Sequence, residues 1–189
     1  MVLLVAGLVV FLGVHTLTTL RGSRAALIGR LGDGGYKGLY SVVSAVGLVL
    51  IVWGFGRYRA HDYLQLWTPP AALKPLALLL MWFAFIALAA TYSPLGKIKA
   101  VLRHPMLVSI KTWALAHLLV NGDLGALVLF GAFLAWAVYD RIAVKRRGDT
   151  GAPPVPAPTK GDMIAITLGT AAFLAMFWLH PRVIGVPIL

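Results

Sequence analysis

Six long apolar runs divide the sequence and leave only short segments between them. A run of about 17 to 25 mostly apolar residues crosses a bilayer as an α-helix, which satisfies its own backbone hydrogen bonds. The chain is 60% hydrophobic and 12% charged, about half the charged fraction of a soluble domain. We therefore predict an all-α, polytopic membrane helical bundle with about six transmembrane helices, forming a single membrane domain over residues 1–189. The predicted spans are Val2–Leu20, Leu39–Phe55, Ala71–Tyr92, Met106–Val120, Leu124–Val144 and Met163–Leu179.

The formal net charge of +11 is unevenly distributed between the two sides of the predicted membrane domain. Loops one, three and five hold twelve Lys and Arg residues, whereas the second and fourth loops and the C-terminal tail hold four. Because cytoplasmic loops are enriched in Lys and Arg, loops one, three and five are predicted to face the cytoplasm, and both termini are predicted to lie on the outer side of the membrane. The positive charge is thus explained by the orientation of the chain in the membrane. The expected partner is the lipid bilayer rather than a nucleic acid.

This sequence lacks the residues that several classes of enzyme use for catalysis. The chain contains no cysteine and no glutamate, and it has neither a glycine-rich phosphate loop nor a pair of neighbouring carboxylates. Hydrolase, kinase and zinc-protease chemistry is therefore not expected.

Glycine, proline and capping residues mark the turns between the predicted helices. Residues 32–35 (GDGG) predict a turn before the second helix, and residues 152–159 (APPVPAPT) predict a proline-rich cytoplasmic linker. Thr159 or Asp162 is suited to cap the helix that follows.

Ionisable side chains within apolar runs are functional candidates, because burying them without a partner costs several kcal/mol. His15 lies near the inner end of the first run, with Phe11, Thr18 and Thr19 at helical spacing. A threonine hydroxyl is expected to hold one ring nitrogen and leave the other for a ligand. A histidine that only forms a hydrogen bond across helices is the alternative.

The segment RHPMLVSIKTWALAHLLVNGD, residues 103–123, carries two histidines and a lysine. At 100° per residue, His117 shares a helix face with Trp113, Ala114 and Asn121. The alanine would leave room for a flat ligand, the tryptophan would form its wall, and the asparagine would orient the imidazole. This face is the candidate cofactor-binding site.

His104 and Lys111 are secondary candidates on another face of the same helix. Arg103 and His104 are expected to begin the helix at the cytoplasmic interface, where Asp140 is a suitable ion-pair partner for either. Lys111 lies deeper, and its ammonium group must either extend to the interface or meet an anion.

Two imidazoles suggest haem more than a bare metal ion. No third histidine or carboxylate is evident at the depth of His15 and His117 to complete a zinc or non-haem iron site, whereas haem supplies four ligands of its own. Arg21, Arg24 or Lys37 would then meet its propionates. Spacing alone leaves the pairing open.

Long blocks of the chain resemble a known family. LGDGGYKGLYSVVSAVGLVLIVWGFG, LWTPP and IKAVLRHPMLVSIKTWALAHLLVNGDLGALVLFGAFLAWAVYDRIAVKRR are similar to the NnrU family of bacterial integral membrane proteins. The resemblance runs from His15 to about Arg147. It implies a multi-pass protein of the bacterial inner membrane that supports nitrite and nitric oxide reduction in denitrification, with a reductase or its maturation machinery as partner.

A more distant resemblance is to the plant 15-cis-zeta-carotene isomerase, which holds haem b through two histidines. His15 and His117 occupy matching positions, so the resemblance implies that both are axial ligands of a haem b iron. The plant enzyme has a cysteine one turn before its second histidine, used in ligand switching, and Ala114 stands at that position here. A haem-dependent cis–trans isomerase acting on a lipophilic isoprenoid substrate remains an alternative, but it would need another mechanism.

A third function rests on the triplet Arg103-His104-Pro105. This triplet also resembles a motif of isoprenylcysteine-type membrane methyltransferases, which bind S-adenosylmethionine. The absence of glutamate and of a glycine-rich cofactor segment counts against it.

Overall fold

The structure, a computed structural model, describes residues 1–186 and residue 188. The all-α prediction is confirmed, because this part of the chain contains seven α-helices and no strand. A short 3₁₀ turn (Ala71–Leu73) precedes the third helix. The helices are α1 (Val2–Thr19), α2 (Arg21–His61), α3 (Lys74–Tyr92), α4 (Lys97–Leu102), α5 (Pro105–Val120), α6 (Leu124–Arg146) and α7 (Lys160–Val183).

Five of the described helices, α1, α2, α3, α6 and α7, are long and apolar enough to cross a membrane. α5 is apolar but shorter, at 16 residues. Large apolar side chains such as Val9, Val52 and Trp178 are exposed on these helices, as expected for faces that contact lipid. The chain is thus a helical membrane protein, while the number of six spans and the outward N-terminus stay predictions.

The chain forms two compact units. The first unit comprises Met1–Thr68 and Asn121–Val144, and so contains α1, α2 and most of α6. The second unit comprises Pro69–Val120 and Lys145–Leu189, and contains α3, α4, α5 and α7.

The predicted turn at residues 32–35 is much smaller than expected. Gly32 alone leaves the helical conformation, with φ 71° and ψ 166°, and α2 is helical on both sides of this kink. The residues from Arg21 onwards, expected to be a loop, are therefore helical. A positive φ is tolerated at Gly32 because glycine has no Cβ.

α1 and α2 pack closely in the first unit because glycines lie at their contacts. A Cβ atom at Gly47 would lie 2.8 Å from the Phe11 nitrogen, and one at Gly7 would lie 2.6 Å from the Ile51 nitrogen. Gly54 lies against the backbone of Leu4 in the same way. Small residues at such positions let two helix backbones approach, which increases van der Waals contact between membrane helices.

α3 packs against both α5 and α7 in the second unit. Gly169 of α7 lies against the backbone of Ile86, and Trp82 Nε1 donates a hydrogen bond to Thr170 Oγ1 at 2.9 Å. These contacts place the middle of α7 directly on α3.

The proline-rich segment 152–159 is a loop, as predicted, but hydrogen bonds hold it against the second unit. The Ala152 N–H donates to the Arg103 carbonyl at 2.9 Å, and Lys97 Nζ donates to the Pro156 carbonyl at 3.0 Å. Thr159 Oγ1 donates to the Leu95 carbonyl at 2.9 Å. The segment connects α6 to α7 and is also attached by hydrogen bonds to residues at both ends of α4.

The expected cap of α7 is present and involves both candidate residues. Asp162 accepts a hydrogen bond from the Thr159 N–H at 2.7 Å, and Thr159 Oγ1 accepts one from the Gly161 N–H at 3.0 Å. Asp162 also accepts bonds from the Lys97 and Ile98 N–H groups at the start of α4. Its side chain thus satisfies donors at two helix N-termini.

Candidate functional site

His15 is held by its own helix rather than by a threonine. Its Nδ1–H donates to the Phe11 carbonyl, four residues earlier, at 2.7 Å. Thr18 and Thr19, the expected partners, donate instead to the carbonyls of His15 and Thr16. A carbonyl only accepts hydrogen bonds, so this contact requires the proton on Nδ1 and leaves the lone pair of the neutral ring on Nε2.

Aromatic rings from three helices surround the His15 imidazole. The Phe11 ring stacks on it with centroids 4.2 Å apart, and the Tyr40 ring of α2 lies at 5.3 Å. Trp136 of α6 approaches edge-on, at 5.8 Å. These rings pack against the imidazole and restrict its orientation.

Two polar groups beside this aromatic cluster are buried without a hydrogen-bond partner in the described structure. Tyr36, whose ring lies 6.3 Å from that of Tyr40, is 6% exposed, and its hydroxyl has no partner. Trp136 Nε1 is buried and also has none. Both groups are hydrogen-bond donors, and leaving a donor unsatisfied in a low-dielectric region is costly.

One of the three basic residues proposed for an anionic ligand contacts the Tyr36 ring. The Arg24 guanidinium lies over the Tyr36 ring, 5.5 Å from its centroid. Lys37 instead forms an ion pair with Asp33, at 2.6 Å. We call His15, Tyr36, Tyr40, Trp136 and Arg24 together the His15 cluster. Sequence reasoning did not single out Tyr36, Tyr40 or Trp136, although Tyr36 and Tyr40 are four residues apart, which places them on one helix face.

His117 has the same local geometry as His15, in the second unit. Its Nδ1–H donates to the Trp113 carbonyl, again four residues earlier, at 2.9 Å. The Trp113 and His117 ring centroids are 5.4 Å apart, so the indole lies beside the imidazole. That Trp113 walls a ligand and that Asn121 orients the imidazole stay predictions.

Ala114 and Asn121, the other two candidates beside His117, lie at different places in the fold. Ala114 is fully buried within the second unit, with 0% of its surface exposed. Asn121 lies just beyond the end of α5, at the start of the segment that belongs to the first unit. Their roles at a cofactor stay predictions.

His104 and Lys111 differ in their surroundings. His104 immediately precedes α5, which begins at Pro105, and its Nε2 lies 3.9 Å from an Asp149 carboxylate oxygen. Asp149 is thus one acidic residue beside it, and the pairing with Asp140 suggested by the sequence stays a prediction. Arg103, with φ 60°, separates α4 from α5. Lys111 is half-buried on α5.

Among the described residues, no group of three or more His, Cys, Asp or Glu side chains is arranged to hold a metal ion. In both His15 and His117, the hydrogen bond at Nδ1 places the ring lone pair on Nε2.

The family model of the NnrU protein matches residues 3–188, nearly the whole chain. No curated protein and no solved structure matches it.

Proposed function

Because the chain belongs to the NnrU family, we propose that it is a bacterial inner-membrane protein that binds haem b through His15 and His117. In this proposal the haem protein supports nitrite and nitric oxide reduction in denitrification. It acts with a reductase or with the machinery that matures one.

The observation that carries the proposal is the placement of two half-buried imidazoles within apolar helices, each with the same local hydrogen bond. The exposed His61 also makes this bond, to the Arg57 carbonyl, so the apolar setting is what distinguishes the two. Each is a helical histidine whose Nδ1–H is bound to the carbonyl four residues earlier. This bond selects the tautomer with its lone pair on Nε2 and makes that nitrogen a better donor to a metal. Haem would supply a redox-active iron, and His15 and His117 would hold it.

The donor set of the chain fits a haem with nitrogen ligands. The sequence contains no cysteine, so no thiolate is available as a ligand or as an exchange partner. Ala114, fully buried one turn before His117, occupies the position where ligand switching would need a cysteine. We therefore favour a redox or accessory role over a cis–trans isomerase of the ligand-switching type.

The Arg103-His104-Pro105 triplet has structural roles that need no ligand. The Arg103 carbonyl accepts a hydrogen bond from Ala152, His104 lies beside Asp149, and Pro105 begins α5. We thus find no observation that favours S-adenosylmethionine binding.

Absorption spectra of the purified protein test haem binding directly. The protein is expressed with ample haem and measured in detergent, oxidised and reduced, as wild type and as His15→Ala, His117→Ala and His61→Ala. His61 is an exposed histidine at the end of α2 and serves as the control. We expect a low-spin b-type spectrum for the wild type and the control, and its loss or conversion to a high-spin form in the other two variants.

A colourless wild-type protein would refute haem binding. Wild-type spectra in both His15→Ala and His117→Ala would refute these two ligands while leaving haem binding intact. Added imidazole should restore the low-spin spectrum in either variant if the lost side chain was an iron ligand.

The denitrification role needs a separate test in cells. A denitrifying bacterium that lacks this protein is complemented with the wild type or with His15→Ala, and nitrite and nitric oxide are followed during anaerobic growth. We expect the wild type to restore consumption of both and His15→Ala to fail. Equal restoration by both would show that the physiological role does not depend on His15.

A further inference from the structure

Three donor groups beside His15 have a common chemistry. The Tyr36 hydroxyl and Trp136 Nε1 are buried and have no hydrogen-bond partner in the described structure. The Arg24 guanidinium, always positively charged, lies over the Tyr36 ring. Tryptophan and arginine only donate and the tyrosine hydroxyl can donate, so one acceptor group suits all three.

The ring contacts connect these donors to His15. Trp136 approaches the imidazole edge-on at 5.8 Å, and Tyr40, at 5.3 Å from the imidazole, lies 6.3 Å from Tyr36. A molecule bound at His15 would therefore have polar groups of α2 and α6 within reach of its periphery. A carboxylate is the acceptor best matched to two neutral donors and a nearby cation, since charge-assisted hydrogen bonds are about twice as strong as neutral ones.

We propose that Tyr36, Trp136 and Arg24 form a carboxylate-binding site beside His15 and that, given the haem binding proposed above, its ligand is a haem propionate. Tyr36 and Trp136 donate to the carboxylate oxygens, and Arg24 balances the negative charge. Of the three basic residues that the sequence offered, Arg24 takes this role because Lys37 is bound to Asp33, while no contact to the cluster is described for Arg21.

The proposal can be tested with haem whose propionates are blocked. Haem-depleted protein in detergent is titrated with haemin and with haemin dimethyl ester, and binding is followed by the absorption spectrum. The ester keeps the iron and the ring but has no carboxylate. We expect the wild type to bind haemin about tenfold more tightly than the ester.

Conservative variants then assign the donors. Tyr36→Phe and Trp136→Phe keep the ring contacts but lose the donor, and Arg24→Gln loses the charge. Each should reduce the preference for haemin about threefold or more and leave the ester affinity unchanged. The matched controls are Tyr139→Phe, Trp53→Phe and Arg30→Gln, whose side chains are exposed.

The outcomes separate this proposal from haem binding itself. Equal wild-type affinity for haemin and the ester would overturn the carboxylate site alone, as would variants that keep the wild-type preference. Variants that lose haemin and ester equally would also count against it, because the donors would then support the fold or the iron site. A wild type that binds neither compound would overturn both proposals.

Discussion

The carboxylate of Asp162 accepts a hydrogen bond from the backbone N–H of Ile98 at 2.6 Å and so connects the beginning of α7 to the beginning of α4. The side chain is 6% exposed, and it also accepts bonds from the N–H groups of Lys97 and Thr159. A negative charge at a helix N-terminus is favoured by the helix dipole. In this protein one carboxylate serves two helices.

Replacing Asp162 should therefore destabilise the second unit. Asp162→Ala leaves part-buried N–H groups at the starts of α4 and α7 without this acceptor, and we expect it to lower the free energy of unfolding by about 1 to 3 kcal/mol. Asp162→Asn retains one acceptor oxygen and should cost less. Thermal unfolding in detergent measures both effects. Asp33→Asn, at an exposed ion pair with Lys37, is the control and should change little.

Close packing of α1 and α2 gives a second prediction. Gly47→Ala places a Cβ 2.8 Å from the Phe11 backbone nitrogen, so the helices must separate. We expect a loss of about 1 to 3 kcal/mol in thermal or denaturant unfolding. Gly38→Ala, on the same helix, meets nothing within 4 Å and should be neutral or slightly stabilising, because alanine favours helix. Equal effects of the two changes would contradict the packing argument.

The docked proline-rich segment gives a third prediction. Gly151 and Gly148 have nearly the same φ, 72° and 71°, but a Cβ at Gly151 would clash with the Arg103 carbonyl, whereas one at Gly148 meets nothing within 4 Å. Both alanine variants are strained by the positive φ. Only Gly151→Ala should release residues 152–159.

Limited proteolysis detects that release. We expect cleavage within residues 152–159 to be about tenfold faster in Gly151→Ala than in Gly148→Ala, since a 1.4 kcal/mol change in opening is a tenfold change in population. The same cleavage rate in both variants would mean that the contact with Arg103 does not hold the segment.

Topology is the fourth prediction, and the absence of cysteine makes it simple to test. His61 and Thr150 are exposed residues in loops that the basic residues assign to opposite sides. A membrane-impermeant maleimide should label His61→Cys in intact cells and Thr150→Cys only after the inner membrane is opened. The reverse pattern would place the N-terminus inside.

Part of the fold could be predicted because it depends on composition over long windows. A single apolar run such as Ala71–Tyr92 must be helical in a bilayer, because a helix forms all of its backbone hydrogen bonds within the segment, without water. The cap at Thr159 and Asp162 could be predicted for a similar reason, because its residues are neighbours in sequence. The family could also be predicted, because its motifs are contiguous blocks.

Contacts between distant residues could not be predicted in this way. The contact of Asp162 with α4 joins it to Lys97 and Ile98, which precede it in the chain by 65 and 64 positions. The turn expected at residues 32–35 became a kink at Gly32, because the helix tolerates the remaining glycines. Thr18 and Thr19 donate to the backbone carbonyls of His15 and Thr16 instead of to the His15 imidazole, since those acceptors lie within the same helical turn.

The sequence by itself determined an all-α membrane protein, its family, and the two histidines of interest, because helix period and hydrophobicity are local properties. Tertiary structure decided what surrounds His15. Phe11, Tyr36, Tyr40 and Trp136 come from three helices, and helix rotation and packing bring their rings together. Helix rotation and packing are set by shape complementarity between helices, such as the close approach of Gly47 to Phe11, which no local sequence pattern specifies.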